Sequence, residues 1–226
     1  MTLAETKLER QWPSRFELIA GNVCLDFINT LDDRPSGEPK ELLKDYDDLA
    51  RFGEEAGILT PAQFDDLVEK ARAIPDEARD EAEEALRRAR NLREALHDIF
   101  SALMNHEAAP QPAMDTLNAN LHDAALHSRL IQREMIQSKT IQREPRCEWR
   151  FNDLTSSFNA MLWPIARAAA DLLASGDLPL VRACSSPTCQ WFFLDTSKNH
   201  RRRWCDMKSC GNRAKVRKFY AKKKTE

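Results

Sequence analysis

The chain has 226 residues, 42% of them hydrophobic, with 34 Lys and Arg against 36 Asp and Glu. That is enough for one domain of about 150 residues plus a small module, and no apolar run approaches the ~20 residues needed to span a bilayer. The net charge of −2 hides an asymmetry: residues 182–226 hold 13 basic against 3 acidic side chains, whereas residues 1–181 hold 21 against 33.

Only six glycines, with long runs of Ala, Leu, Glu and Arg, point to a mainly helical chain. Nothing at the N-terminus reads as an export signal, so a reducing, cytoplasmic setting and reduced cysteines are expected. Residues 1–15 are polar and expected to fray. Residues 16–19 form a strand or an extended approach to the first strong element. There Asn22 can cap a helix running to Leu31, in which Val23, Cys24, Leu25, Phe27, Ile28 and Leu31 are apolar nearly all round. Asp26, Asn29 and Thr30, at i, i+3 and i+4, leave one narrow polar stripe. Such a stripe either faces water or, if buried, needs partners from the protein or from a ligand.

A loop follows at residues 34–39. Residues 41–56 place Leu42, Tyr46, Leu49 and Ala56 on one helical face, with Gly57 as the stop. Thr60, Pro61 and Gln63 make a capping-box signature for a helix that buries Phe64, Leu67, Val68 and Ala71. Residues 76–106 are one long helical pattern, about 45 Å at 1.5 Å per residue. Its first half is mostly Ala, Arg and Glu. That composition favours a solvated helix, with pairing to a second subunit, as a homodimer, the alternative use of its length. Met114, Leu117, Leu121 and Ala125 mark a further short helix. Residues 129–151 then change period: Leu130, Gln132 and Glu134, followed by Cys147, Trp149 and Phe151, alternate as in two antiparallel strands joined through residues 137–146. Asp153 can cap a last body helix carrying Leu154, Phe158, Met161, Leu162, Ile165, Ala169, Leu172 and Leu173, kinked at Pro164 and stopped at Gly176.

The most informative stretch comes last. Cys184 and Cys189, then Cys205 and Cys210, form two pairs of equal spacing, which can bring four thiolates to one point as a structural zinc ion needs. The alternatives are two disulfides or four unrelated buried thiols. Cys24 and Cys147, in apolar surroundings, read as small buried hydrophobes. Residues 191–194 (WFFL) read as a strand and residues 200–204 as its returning partner, with a turn between them. Ser209 would cap a helix running to about residue 224, placing Cys210 in its first turn. Val216, Phe219 and Tyr220 should face the hairpin aromatics, with Asn212 on the same inner face. The other faces are basic.

The run FLDTSKNHRRRWCDMKSCGNRAKVRKFY after Cys-x4-Cys resembles the CGNR zinc finger, over about the last forty-five residues. LDFINT resembles the signature that opens the ABATE domain, which usually precedes that finger. The family is regarded as stress-induced transcription regulators of bacteria. The resemblance implies a sensing or ligand-binding body at residues 1–177 and a basic finger at residues 178–226. It also makes Asp26, Asn29, Thr30 and Arg34 the candidates to contact an unspecified small-molecule effector.

The expected fold is therefore α+β and mainly helical: an α-rich N-terminal domain with a small antiparallel hairpin, then a treble-clef-like finger. One Zn2+ per chain is expected on Cys184, Cys189, Cys205 and Cys210, carrying much of the finger's folding while the body stands without it. DNA is the expected partner, with Arg201, Arg202, Arg203, Arg213, Lys215, Arg217 and Lys218 meeting phosphates. A protein-scaffolding finger and an RNA binder are the alternatives. Exposure of Trp191 and Phe192 would favour those alternatives, and their burial would favour phosphate contacts by arginine. No membrane partner is expected. No phosphate loop, nucleophile elbow or zinc-hydrolase helix appears, and four cysteines leave zinc no open position, so no enzyme is expected.

Overall fold

The computed structural model describes residues 13–73, 76–132 and 147–223. Seven α-helices, a 3-10 turn (Leu178–Leu180), a π-helical turn (Met207–Gly211) and three two-stranded antiparallel sheets account for the regular structure among them. The mixed, mainly helical architecture is as expected.

Helix α1 (Val23–Ile28) is short and central. Asn22 caps it by accepting a bond from the Cys24 N–H, and Gly21 supplies the positive φ of 80° that turns the chain into it. Cys24, Leu25, Phe27 and Ile28 are buried against helices α4 (Asp76–Met104) and α6 (Leu162–Leu173). The helix stops before the expected Leu31. The Thr30 hydroxyl donates to the Phe27 carbonyl, and Leu31 begins β1 (Leu31–Asp32), paired with β2 (Lys40–Glu41).

Helix α2 (Tyr46–Glu55) begins later than the pattern from residue 41 suggests, because Asp45 caps it on the Asp48 N–H. Helix α3 (Pro61–Arg72) has both bonds of the expected capping box. Helix α4 differs from its expectation. Its first half is not a solvated arm: Ala82, Ala85, Leu86, Ala89 and Leu92 are buried in the core that α2, α3 and α5 (Gln111–Leu126) help to cover. A stripe of alanines buries little area per residue but lets neighbouring helices approach closely, which packs a helix without large side chains. Helix α5 is rotated by about one residue from its expected face, burying Ala113, Leu117, Asn120 and Ala124.

Strands β3 (Ser128–Gln132) and β4 (Cys147–Phe151) pair antiparallel, with Leu130 opposite Trp149 and Gln132 opposite Cys147. Glu134 and the join at residues 137–146 lie outside the described residues, as do residues 1–12. Cys147, the first residue of β4, is exposed, not a buried hydrophobe. Pro164 does not kink α6. The helix begins at Leu162, so the proline falls in the first turn, where a missing N–H breaks no bond. Asp153 instead accepts bonds from the N–H and hydroxyl of Thr155 in a separate turn.

The finger is assembled differently from the expected local hairpin. Strand β6 (Phe192–Leu194) pairs with β5 (Val181–Ala183), which precedes the first cysteine pair, and residues 200–204 form no strand. The carboxylate of Asp195, fully buried, explains this. It accepts bonds from the Ser197 N–H and hydroxyl and from the Arg202 N–H, folding residues 195–202 into a closed loop. One apolar core runs without a break from the helical body into Trp191, Phe192, Phe193 and the four cysteines. The 177/178 boundary thus falls between α6 and β5 but divides no core.

Candidate metal centre and the surface around it

The four cysteines Cys184, Cys189, Cys205 and Cys210 are buried and unbridged, and their sulfurs all lie within 4.8 Å of one another. The Cys189–Cys205 and Cys205–Cys210 sulfurs are each 3.6 Å apart. A disulfide would need about 2.05 Å. Four sulfurs each about 2.3 Å from a tetrahedral zinc stand about 3.8 Å apart, so the donor set and its spacing fit zinc.

Each half of the site is held by its own local device. Gln190 takes a positive φ of 57°, which lets the Cys184 N–H reach the Trp191 carbonyl and closes the first turn. In the second half Asp206, not Ser209, is the cap, accepting from the Ser209 N–H at 2.7 Å. A π-helical turn (Met207–Gly211) carries Cys210 inward before α7 (Asn212–Lys223) begins. The wider turn supplies the extra backbone that a regular helix from Ser209 would lack. Within the thiol cluster, bonds from Cys189 and Cys205 hold the Cys184 thiol well below its usual range, and sharing with Cys184 pushes the other two up. A cation at the centre would favour deprotonation of all of them.

The CGNR run has a legible physical role at each position. Cys210 is a ligand candidate. A Cβ on Gly211 would meet the Met207 sulfur at 2.8 Å and Trp204 at 3.3 Å. Asn212 donates its amide to the Lys208 carbonyl, closing the π turn. The Arg213 guanidinium donates to the Cys210 sulfur at 3.0 Å.

The seven residues expected to meet phosphate therefore divide. Arg213 serves the metal site. Arg202 is spent on structure: it lies 4.5 Å over the Phe193 ring and donates to the carbonyls of Trp204 and Cys205. Arg217 is exposed with one bond to the Ser186 hydroxyl. Arg201, Arg203, Lys215 and Lys218 are exposed, and among the described residues none of these four is ion-paired, although Arg203 lies 5.3 Å over the Trp204 ring. His200 sits at a positive φ of 48° and bonds the Asp195 carbonyl in the loop. Side-chain placement at Lys222 and Lys224 lies outside the described residues.

Helix α7 corrects a second expectation. Val216, Phe219 and Tyr220 do not pack on Trp191 and Phe192; they are 53%, 58% and 61% exposed. The finger aromatics are covered by the body instead, with Trp191 9% and Phe192 4% exposed. An open cleft of about 740 Å³ lies beside the cluster, lined by Glu17 and Asp32 of the body and by Trp191, Arg213, Val216 and Arg217.

The four candidates for effector contacts are engaged within the protein. The Asn29 amide donates to the Phe192 carbonyl and accepts from its N–H, both at 2.9 Å. Thr30 donates to the Phe27 carbonyl and accepts from Arg93. Asp26 accepts from the Ala20 N–H, and Arg34 grips both oxygens of Glu94. Sequence reasoning missed Arg93, which is 3% exposed and binds Glu41 through two bonds of 2.6 and 2.7 Å. Within a long run of charged helix, nothing marks it as the buried one.

A helical body fused to a basic four-cysteine module defines a zinc-finger protein of the kind that couples two family domains. Comparison with known families bears this out: residues 21–176 match the ABATE family, described as "Putative stress-induced transcription regulator", and residues 181–223 match the CGNR zinc finger. The chain belongs to the ABATE family, with a CGNR finger at its C-terminal side. A search of curated proteins gave no match. Among the described residues no helix is long and apolar enough to cross a membrane.

Proposed function

We propose that this protein is a cytoplasmic, bacterial transcription regulator, active in stress, that binds DNA through its finger. Its four cysteines hold one structural zinc, and its action is by binding, not catalysis. The observation carrying this reading is the exposed basic surface of the finger. Arg201, Arg203, Lys215 and Lys218 stand exposed, clear of carboxylates among the described residues, on a module that holds 13 basic against 3 acidic side chains. Exposed cations without ion pairs on a rigid, metal-braced scaffold suit a polyanion, and the acidic body keeps that polyanion on one side. Burial of Trp191 and Phe192 supports phosphate contact by the basic side chains over base stacking by those rings.

The test uses the full chain, since the finger shares the body's core. Fluorescence anisotropy of labelled duplexes across a salt series should give a log–log slope of roughly −4.5 if five phosphates are neutralised. Changing Arg201, Arg203, Lys215 and Lys218 together to alanine should flatten that slope and leave zinc content unchanged. Binding indifferent to salt, or to the fourfold change, would reject the reading.

One observation favours a second reading. Val216, Phe219 and Tyr220 form an exposed apolar edge at i, i+3 and i+4 on the basic helix, which suits a protein groove or unpaired bases. Tighter binding to single-stranded RNA than to duplex DNA would move the assignment there.

A further inference from the structure

We propose that the polar edge of α1 is a seat for strand β6, through which the helical body sets the zinc affinity of the finger and zinc in turn braces the body. This extends the zinc assignment above and is independent of what the finger binds.

The seat is built from four contacts. Asn29, 5% exposed, meets both backbone groups of Phe192 and so acts as a one-residue strand edge. The Leu194 N–H donates to the Ala20 carbonyl at 2.7 Å. The Trp191 indole N–H donates to Asp32 at 2.8 Å. The His97 ring of α4 stacks on Phe192, with centroids 5.3 Å apart and planes 13° from parallel. Gly21, whose Cβ would lie 3.5 Å from that of Leu194, brings the body's backbone against the strand.

Three features make the seat a coupling element and not a passive contact. It is short: Trp191 is two residues from Cys189, and its carbonyl closes the turn that presents Cys184. It is stiff, because Asn29 and its two partners are buried and mutually satisfied. It also continues into the body. Thr30, next to Asn29, accepts from Arg93, which Glu41 and Glu94 hold in place. Loss of Asn29 strands two buried backbone groups of the finger, which is costly to a module with so small a core of its own. If β6 must be seated for the four sulfurs to converge, whatever lowers the seated fraction of the metal-free protein weakens zinc binding in proportion, and removing zinc loosens the body in return.

The experiment measures zinc affinity of the full-length protein by competition with a chromophoric chelator, together with thermal unfolding with and without zinc. Asn29→Ala should weaken zinc about tenfold or more, as two buried bonds are lost. Trp191→Phe, which removes the indole N–H and puts a smaller ring in its place, should weaken it several-fold and serves if Asn29→Ala does not fold. Leu117→Ala, in α5 and away from the seat, should lower the melting temperature yet leave zinc affinity within about twofold. The inference is overturned if the seat variants bind zinc as tightly as the parent, or if Leu117→Ala weakens zinc as much as they do. A parent protein that binds no zinc would overturn the metal assignment itself.

Discussion

Asp26 sits where α1 meets its approach segment, and burial raises its carboxyl to about 6, against the bonds from Ala20 and Ile19 that favour the charged form. The folded state therefore binds this proton more tightly than the unfolded chain. From this residue, stability is highest when the carboxyl is protonated and declines as pH rises from about 4 to 6, the reverse of a salt-bridged acid. Replacing Asp26 by Asn keeps an acceptor for the Ala20 N–H and removes the charge. Its melting temperature, measured between pH 4 and 7, should gain on that of the parent as pH rises through this window. A constant difference between the two curves would contradict the assignment.

At the scale of elements, α4 and α7 make opposite points. Both are rich in charge, yet the sequence suggests a solvated first half for α4 and an α7 packed on the finger aromatics through Val216, Phe219 and Tyr220. In α4 the alanines at 82, 85 and 89 fall on one face, and all three are buried in the core. Ala89, fully buried, has no room for a larger side chain at that packing density. Ala89→Leu should cost about 1–3 kcal/mol of stability by overpacking, read as a lower denaturant midpoint, whereas a solvated helix would be indifferent or slightly stabilised. In α7 the apolar residues also share a face, yet that face is bare. Periodicity names a face; it does not say whether anything covers it.

For the whole molecule, the consequence is that finger and body are not beads on a string. The amides of Phe192 and Leu194 donate to Asn29 and Ala20 of the body. Native-state hydrogen exchange should show both as protected as amides of the body core, such as those of Leu92 and Leu96. Amides in the exposed second half of α7 should exchange orders of magnitude faster. Equal, fast exchange across the whole of residues 181–223 would mean that the finger opens independently. The same unity explains why the full chain is the right object for measuring nucleic-acid affinity: a segment cut at 178 would leave Phe192 and Trp191 without their cover.

What was legible in the sequence was local chemistry. Cysteine spacing identified the four sulfurs that converge, because turns of four residues bring near neighbours together whatever surrounds them. The Thr60 capping box, the Asn22 cap and the antiparallel pairing of β3 with β4 were legible for the same reason: each is decided within a few residues or by strict alternation. The stripe of Asp26, Asn29 and Thr30 was equally visible, but its purpose was not. The partner of Asn29 lies 163 residues away, and a polar residue on an apolar helix looks the same whether it meets a ligand, water or a strand. Tertiary structure alone decided that Arg202 and Arg213 serve the fold and the metal site, while Arg201, Arg203, Lys215 and Lys218 stay exposed and without an ion pair among the described residues, Arg203 lying over the Trp204 ring. Sequence gives all of them one charge, and only the position of carbonyls, rings and sulfur in space determines which guanidinium is already engaged.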